Sequence, residues 1–124
     1  MADNKEYLMI SEENGTVLIS EDVICSIAAA AAMEVEGVDS LAANLGKDLA
    51  EKLGMKNISK WIHLAVENNN LYMECCVVLC YGYDVVEVAK NVQTSVTNAV
   101  SSMTGFHVER VDVTVSGVSM VKKK

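Results

Sequence analysis

Apolar residues recur along this chain at two different periods, and the switches between them divide it into elements. Residues 1–15 are largely polar and predict a loose segment. Thr16-Val17-Leu18-Ile19 is a short β-prone run, and Ser20 follows it with a side-chain oxygen able to cap a helix. Glu21 and Asp22 come next, where the positive end of a helix dipole favours acids. From there Val23, Ile24, Ile27, Ala31 and Val35 recur at three- and four-residue spacing. That spacing predicts a helix over about 20–36 with one apolar stripe, ended at Gly37, which can take left-handed backbone angles. The alanine block Ala28 to Ala32 predicts a close approach by a neighbouring element.

Leu45, Leu49 and Leu53 sit four apart and predict a short helix stopped by Gly54. The period then changes to two. Trp61 to Val66 predicts a strand with Ile62, Leu64 and Val66 on one face, and Glu67-Asn68-Asn69-Asn70 predicts a turn, because Asn tolerates left-handed angles. Leu71 to Tyr81 predicts a longer strand, apolar on both faces along Cys75 to Cys80, as an interior strand is. The two form a hairpin. Asp84 then caps a second helix, with Glu87 three residues on in the capping-box arrangement. Its stripe is Val85, Val88, Ala89, Val92, Val96, Ala99, Val100 and Met103, and Gly105 stops it. In the last strand, Phe106 and Val108 have the opposite parity from Val111, Val113 and Val115, which a bulge near Glu109-Arg110 reconciles.

The strand–helix–strand unit over 71–116 predicts parallel strands. The expected fold class is therefore α+β: two layers, with a small mixed sheet of three to four strands and two main helices packed on one face. Its order is β-α-(α)-β-β-α-β. Residues 1–14 are expected to be a flexible N-terminal segment, 15–118 a single domain, and 119–124 a basic tail.

Charge narrows the functional classes. The 124 residues carry 17 acids against 10 bases, a net charge of −7. Phosphate backbones are bound by displacing counterions with Lys and Arg, and Arg110 is the single arginine, so a broad nucleic-acid surface is not expected. Lys122-Lys123-Lys124 is too few charges to anchor a chain on lipid. The longest apolar run, Ile27 to Met33, is far short of the ~20 residues of a bilayer span. Met1 to Glu6 lacks the basic-then-apolar order of a secretory signal, so a cytoplasmic location without direct membrane insertion is expected. Aromatic residues are few, which gives little sign of a large ligand pocket.

The residues that could carry chemistry are Cys25, Cys75, Cys76 and Cys80, with His63 and His107. Strand neighbours point to opposite faces, so Cys75 and Cys76 cannot share a metal. Cys76 and Cys80 share a face but lie about 13 Å apart at ~3.3 Å per residue, beyond a disulfide or a tetrahedral zinc site. Buried, reduced thiols are the expectation for all four, and solvent-facing or rim positions for both histidines. The carboxylates are mostly dispersed, as in Glu34/Glu36, Asp48/Glu51 and Asp84/Glu87, and the last two pairs fit capping or solvation. No nucleophile elbow, phosphate loop or H-E-x-x-H occurs. No catalytic, cofactor-binding or metal-binding residue is assigned, no cofactor is expected, and no binding residue is identified.

Gly15-Thr16-Val17-Leu18-Ile19-Ser20-Glu21-Asp22-Val23-Ile24, Met33-Glu34-Val35-Glu36-Gly37-Val38, and above all Val78-Leu79-Cys80-Tyr81-Gly82-Tyr83 through Val92-Gln93, with Thr104-Gly105 and Val111 to Val118, carry a resemblance. Over about residues 14–118 the chain resembles the alkaline shock protein family of Gram-positive bacteria, the envelope stress response proteins. It departs from the family pattern in its cysteine-rich strand, at Trp61, and in its middle segment. The resemblance implies a non-enzymatic protein of envelope homeostasis that works through other proteins, including a membrane-anchored partner or further copies of itself.

Two other classes compete with an interaction or scaffold module. An α-β-β-α-β order suits a KH-like nucleic-acid binder, but Gly46-Lys47-Asp48-Leu49 lacks the second glycine of that backbone clamp, and the charge opposes it. A thiol-dependent protein would use one of the four cysteines and would need a fast-reacting thiolate.

Overall fold

The computed structural model describes residues 7–41 and 62–120. The elements are β1 (Tyr7–Glu12), β2 (Gly15–Ser20), α1 (Glu21–Met33), β3 (Val38–Ser40), β4 (Ile62–Glu67), β5 (Asn70–Cys80), α2 (Val85–Thr104) and β6 (His107–Ser119). The architecture is mixed α+β, with one two-stranded and one four-stranded sheet among the described residues. The expected helix around Leu45, Leu49 and Leu53, Trp61, and the Lys122–Lys124 tail lie outside them.

β5 is the axis of the larger sheet. Along one side it pairs with β6 in parallel over its whole length, from Asn70↔His107 to Cys80↔Ser119. Its other side is shared end to end: β4 pairs antiparallel from Ile62↔Cys75 to Glu67↔Asn70, and β3 meets it antiparallel at Val38↔Leu79. The parallel pairing and the central place of this strand agree with the sequence reading. Its two faces are unequal, however. Leu71, Met73, Cys75, Val77 and Leu79 are buried beneath the helices, whereas Tyr72, Glu74, Cys76 and Val78 are half-buried. The continuous apolar run therefore marks a strand flanked on both edges but covered by helices on one face.

Local signals account for the turns. Asn68 and Asn69 both take positive φ, 54° and 66°, as a two-residue hairpin turn that follows strand twist requires. In β6, Leu71 pairs with Val108 and Tyr72 with Arg110, so Glu109 is the extra residue of a bulge. The bulge brings Val108 and Val111 to the same buried side.

Ser20 caps α1 by accepting from Val23 N–H at 3.2 Å, and Asp84 caps α2 by accepting from Glu87 N–H at 3.0 Å. Gly105 ends α2 in the left-handed region at φ 83°. α1 ends sooner than its pattern predicts, at Met33, because Glu34 and Val35 turn back on the carbonyls of Ala30, Ala31 and Ala32. Gly37, at φ 102°, completes this turn, and a Cβ there would stand 2.8 Å from Val88 Cγ2 and 3.0 Å from the Tyr83 ring. Glycine is needed twice over at this position, for the backbone angle and for the close approach.

The first strand pair departs from expectation. Tyr7–Glu12 reads as a loose, polar segment but forms β1, paired antiparallel with β2 from Tyr7↔Ser20 to Glu12↔Gly15. The physical reason is an overlooked alternation. Leu8 is buried in the core and Ile10 packs against it, with cross-strand partners Ile19 and Val17. β2 thus belongs to a separate hairpin and not to the main sheet.

Candidate docking surfaces

The residues with chemical potential are dispersed by the fold. Cys75 faces the core and Cys76 the opposite face of β5, as strand geometry dictates, and all four cysteines are free thiols. Cys25 is buried on α1, its thiol 3.9 Å from the Ile62 carbonyl. Burial pushes the Cys25 thiol up to about 11, helped by the nearby carboxylates of Asp22 and Glu21. Burial likewise pushes Cys75 up to about 12, with the neighbouring thiols Cys76 and Cys25 and the Glu74 carboxylate adding to it. Cys76 is shifted upward too, first by burial and then by Glu74. A raised pKa removes the thiolate that nucleophilic chemistry requires. His63 and His107 are exposed as expected, and His107 Nε2 lies 2.9 Å from Glu109 Oε1. Among the described residues no three His, Cys, Asp or Glu side chains converge on a metal position.

Two apolar surfaces stand out instead. The first is the hairpin. Cross-strand partners share a face, so Leu8, Ile10, Val17 and Ile19 turn one way, and Tyr7, Met9 and Leu18 the other. Of the first set, Leu8, Ile10 and Ile19 pack into or against the core while Val17 stays 46% exposed, and the second set is largely solvent-exposed, with Met9 at 60% and Leu18 at 59%. A hollow of about 860 Å³ runs between β1 and the far end of the main sheet, where Val66, Asn69, Phe106 and His107 close it.

The second surface lies between the helices. α1 and α2 are in contact, and Ser95 Oγ donates across them to the Ala31 carbonyl at 3.0 Å. The alanine block thus supports the close approach read from sequence. The apolar stripe of α1 is redistributed, however: Ile24, Cys25, Ala28, Ala29, Ala31 and Ala32 are buried, whereas Val23 is exposed and Ile27 only half-buried. Val23, Ile27, Ala30, Ala99 and Met103 line an outer groove of about 540 Å³ between the helices, with Asp22 and Glu34 at its rim. Val85 and Met103 of α2, both counted in its stripe from sequence, are likewise exposed. Sequence periodicity missed the groove because it registers apolar residues without registering how wide a face the domain covers.

No helix among the described residues is long and apolar enough to cross a membrane. The sequence is similar to two Bacillus subtilis proteins, the uncharacterized protein YloU (34% identical, covering 84% of this chain and 88% of the relative) and the uncharacterized protein YqhY (26% identical, covering 99% and 93%). Among solved structures it is similar to MamM-CTD H264A at 12% identity and a TM-score of 0.49, over 78% of this chain and 96% of that one, a likeness too slight to bear on function. Residues 9–120 match the model of the alkaline shock protein family, described as having a cell envelope-related function, and the chain belongs to that family.

Proposed function

We propose that the protein is a non-catalytic docking module of the cell-envelope stress response, held in the cytoplasm and acting through contacts with other proteins, a membrane-anchored one among them. The observation that carries this reading is the β1–β2 hairpin, which presents Tyr7, Met9 and Leu18 to solvent after Leu8 and Ile19 have been used for packing. A two-stranded ribbon is marginal by itself, and an exposed apolar ribbon face with an edge unpaired among the described residues is a surface to which another chain can add. The protonated state of the buried thiols supports the same reading over a thiol-dependent one.

The test is co-sedimentation with envelope membranes from the native organism, comparing the wild-type chain with the triple variant Tyr7→Ser, Met9→Ser, Leu18→Ser. The variant is expected to keep its thermal unfolding midpoint and to stay in the supernatant. Equal partitioning of the two proteins would remove the hairpin as the docking surface.

A further inference from the structure

The two hairpins of the fold turn in different ways. Asn68 and Asn69, between β4 and β5, both take positive φ, the form that follows strand twist. Glu13 and Asn14 connect β1 to β2 without positive φ at either residue, and the left-handed angle falls instead on Gly15, at φ 141°. A connection of that form splays its strands. The pair Leu8↔Ile19, which packs into and against the core, lies near the other end of the ribbon, whereas Ser11↔Thr16 and Glu12↔Gly15 at the turn end are exposed.

Asn14 is also the one asparagine of the chain that a glycine follows. The backbone nitrogen of the next residue can attack an asparagine side-chain carbonyl, and a Cβ on that next residue hinders the approach. Gly15 has no Cβ, and one built there would meet nothing within 4 Å, so the ring that the attack closes has room. Asn91 and Asn98 lie within α2 and precede Val92 and Ala99, and each residue of Asn68-Asn69-Asn70 precedes one with a side chain.

We infer that Asn14-Gly15 is a self-modification site, at which the turn converts to isoaspartate and the exposed end of the β1–β2 ribbon comes apart. Deprotonated by hydroxide, the Gly15 nitrogen bonds to Asn14 Cγ, and the side-chain nitrogen leaves as ammonia. Water then opens the succinimide so formed. Where it adds at the former backbone carbonyl, the chain runs on through Cβ and Cγ, one methylene longer, with the α-carboxylate as a side group; addition at Cγ gives aspartate. The extra methylene does not fit a two-residue connection that pairs Glu12 with Gly15. The new carboxylate also follows directly on Glu12 and Glu13, in a stretch, residues 7–20, without Lys, Arg or His. This chemistry is independent of any docking role of the ribbon.

The test is incubation of the purified full chain in mildly alkaline buffer, followed by peptide mapping and by isoaspartyl-specific methyl transfer from S-adenosylmethionine. The mass gain of an amide-to-acid exchange and the methyl label are expected at position 14 ahead of every other asparagine, at a rate that rises with hydroxide. Gly15→Ala should form the product at least about tenfold more slowly. In aged wild-type protein the amides of residues 10–17 should exchange with solvent at least about tenfold faster than in fresh protein, while aged Asn14→Ser should match its fresh form. Fresh Asn14→Asp, which adds the charge without the methylene, should lie between the two. First modification at another asparagine, no label at position 14, or isoaspartate there with amide exchange unchanged would each overturn the inference.

Discussion

The two helices make opposite use of their apolar residues. In α2, Val88, Val92, Val96, Val100 and Thr104 are buried at every fourth position, and Lys90, Asn91, Thr94 and Asn98 face solvent. The buried hydroxyl of Thr104 is satisfied locally, donating to the Val100 carbonyl at 2.7 Å and accepting from Phe106 N–H at 3.2 Å. The middle of α2 buries its valine stripe, and its exposed large apolar residues, Val85, Val86 and Met103, are confined to its two ends. α1 is shorter but has apolar residues on more of its surface, and the fold covers six of them while leaving Val23 at 48% and Met33 at 41% exposure. Apolar surface beyond the needs of the core is where an interaction protein differs from a merely stable one.

Substitutions at matched positions should break this comparison most clearly. Val96→Asp puts a charge in the fully buried seam of α2 and is expected to destabilise by more than about 4 kcal/mol, unfolding the chain. Val23→Asp, on the exposed stripe of α1, should stay within about 0.5 kcal/mol of wild type. Urea denaturation followed by circular dichroism measures both, and similar losses would erase the distinction drawn between the helices.

A smaller effect is expected where α1 turns toward the sheet. Gly37→Ala combines a left-handed backbone with overlap against Val88 and Tyr83, and should cost about 2–4 kcal/mol. A thermal midpoint unchanged from wild type would show that the turn can relax. Smaller still, Ser20→Ala and Asp84→Ala should each cost ~1 kcal/mol, since both helices lose the same kind of cap. Unequal losses would mean that packing, rather than capping, fixes one of the two starts.

The thiols give no signal near neutral pH. Cys25 and Cys75 have folded pKa values raised to about 11 and about 12 from an ordinary 9.0, so the folded state holds protons that the unfolded state releases. Their contribution to stability is therefore complete below pH 9 and is lost as pH rises through 11 and 12. Urea midpoints should fall between pH 9 and 10.5 and fall less for Cys75→Ala, each variant compared with itself at pH 7. A midpoint that rises over that interval would contradict the assignment.

Much of the fold was legible in the chain. Ser20 and Asp84 marked the helix starts, paired asparagines marked a left-handed turn, and the change of parity between Val108 and Val111 located a bulge at Glu109. Such features are local: a few consecutive residues determine the backbone angle or the hydrogen bond. β1 was missed because its alternation spans few residues and its stability comes from a partner strand and from Leu8 reaching the core. The exposed apolar surfaces were harder to read because exposure depends on the whole assembly of elements.

By itself, the sequence determined where the two helices begin, where α2 ends and where the β4–β5 hairpin turns, that β5 is interior, and that neighbouring cysteines lie on opposite faces. Tertiary structure alone decided that β2 leaves the main sheet for a hairpin, that β3 and β4 share one edge of β5, and that Val23 and Met103 stay in water while Ile24 and Val100 do not. The reason is physical. Period and capping act within a few residues, whereas burial is settled by how many elements converge on a face, and no single stretch of chain encodes that number.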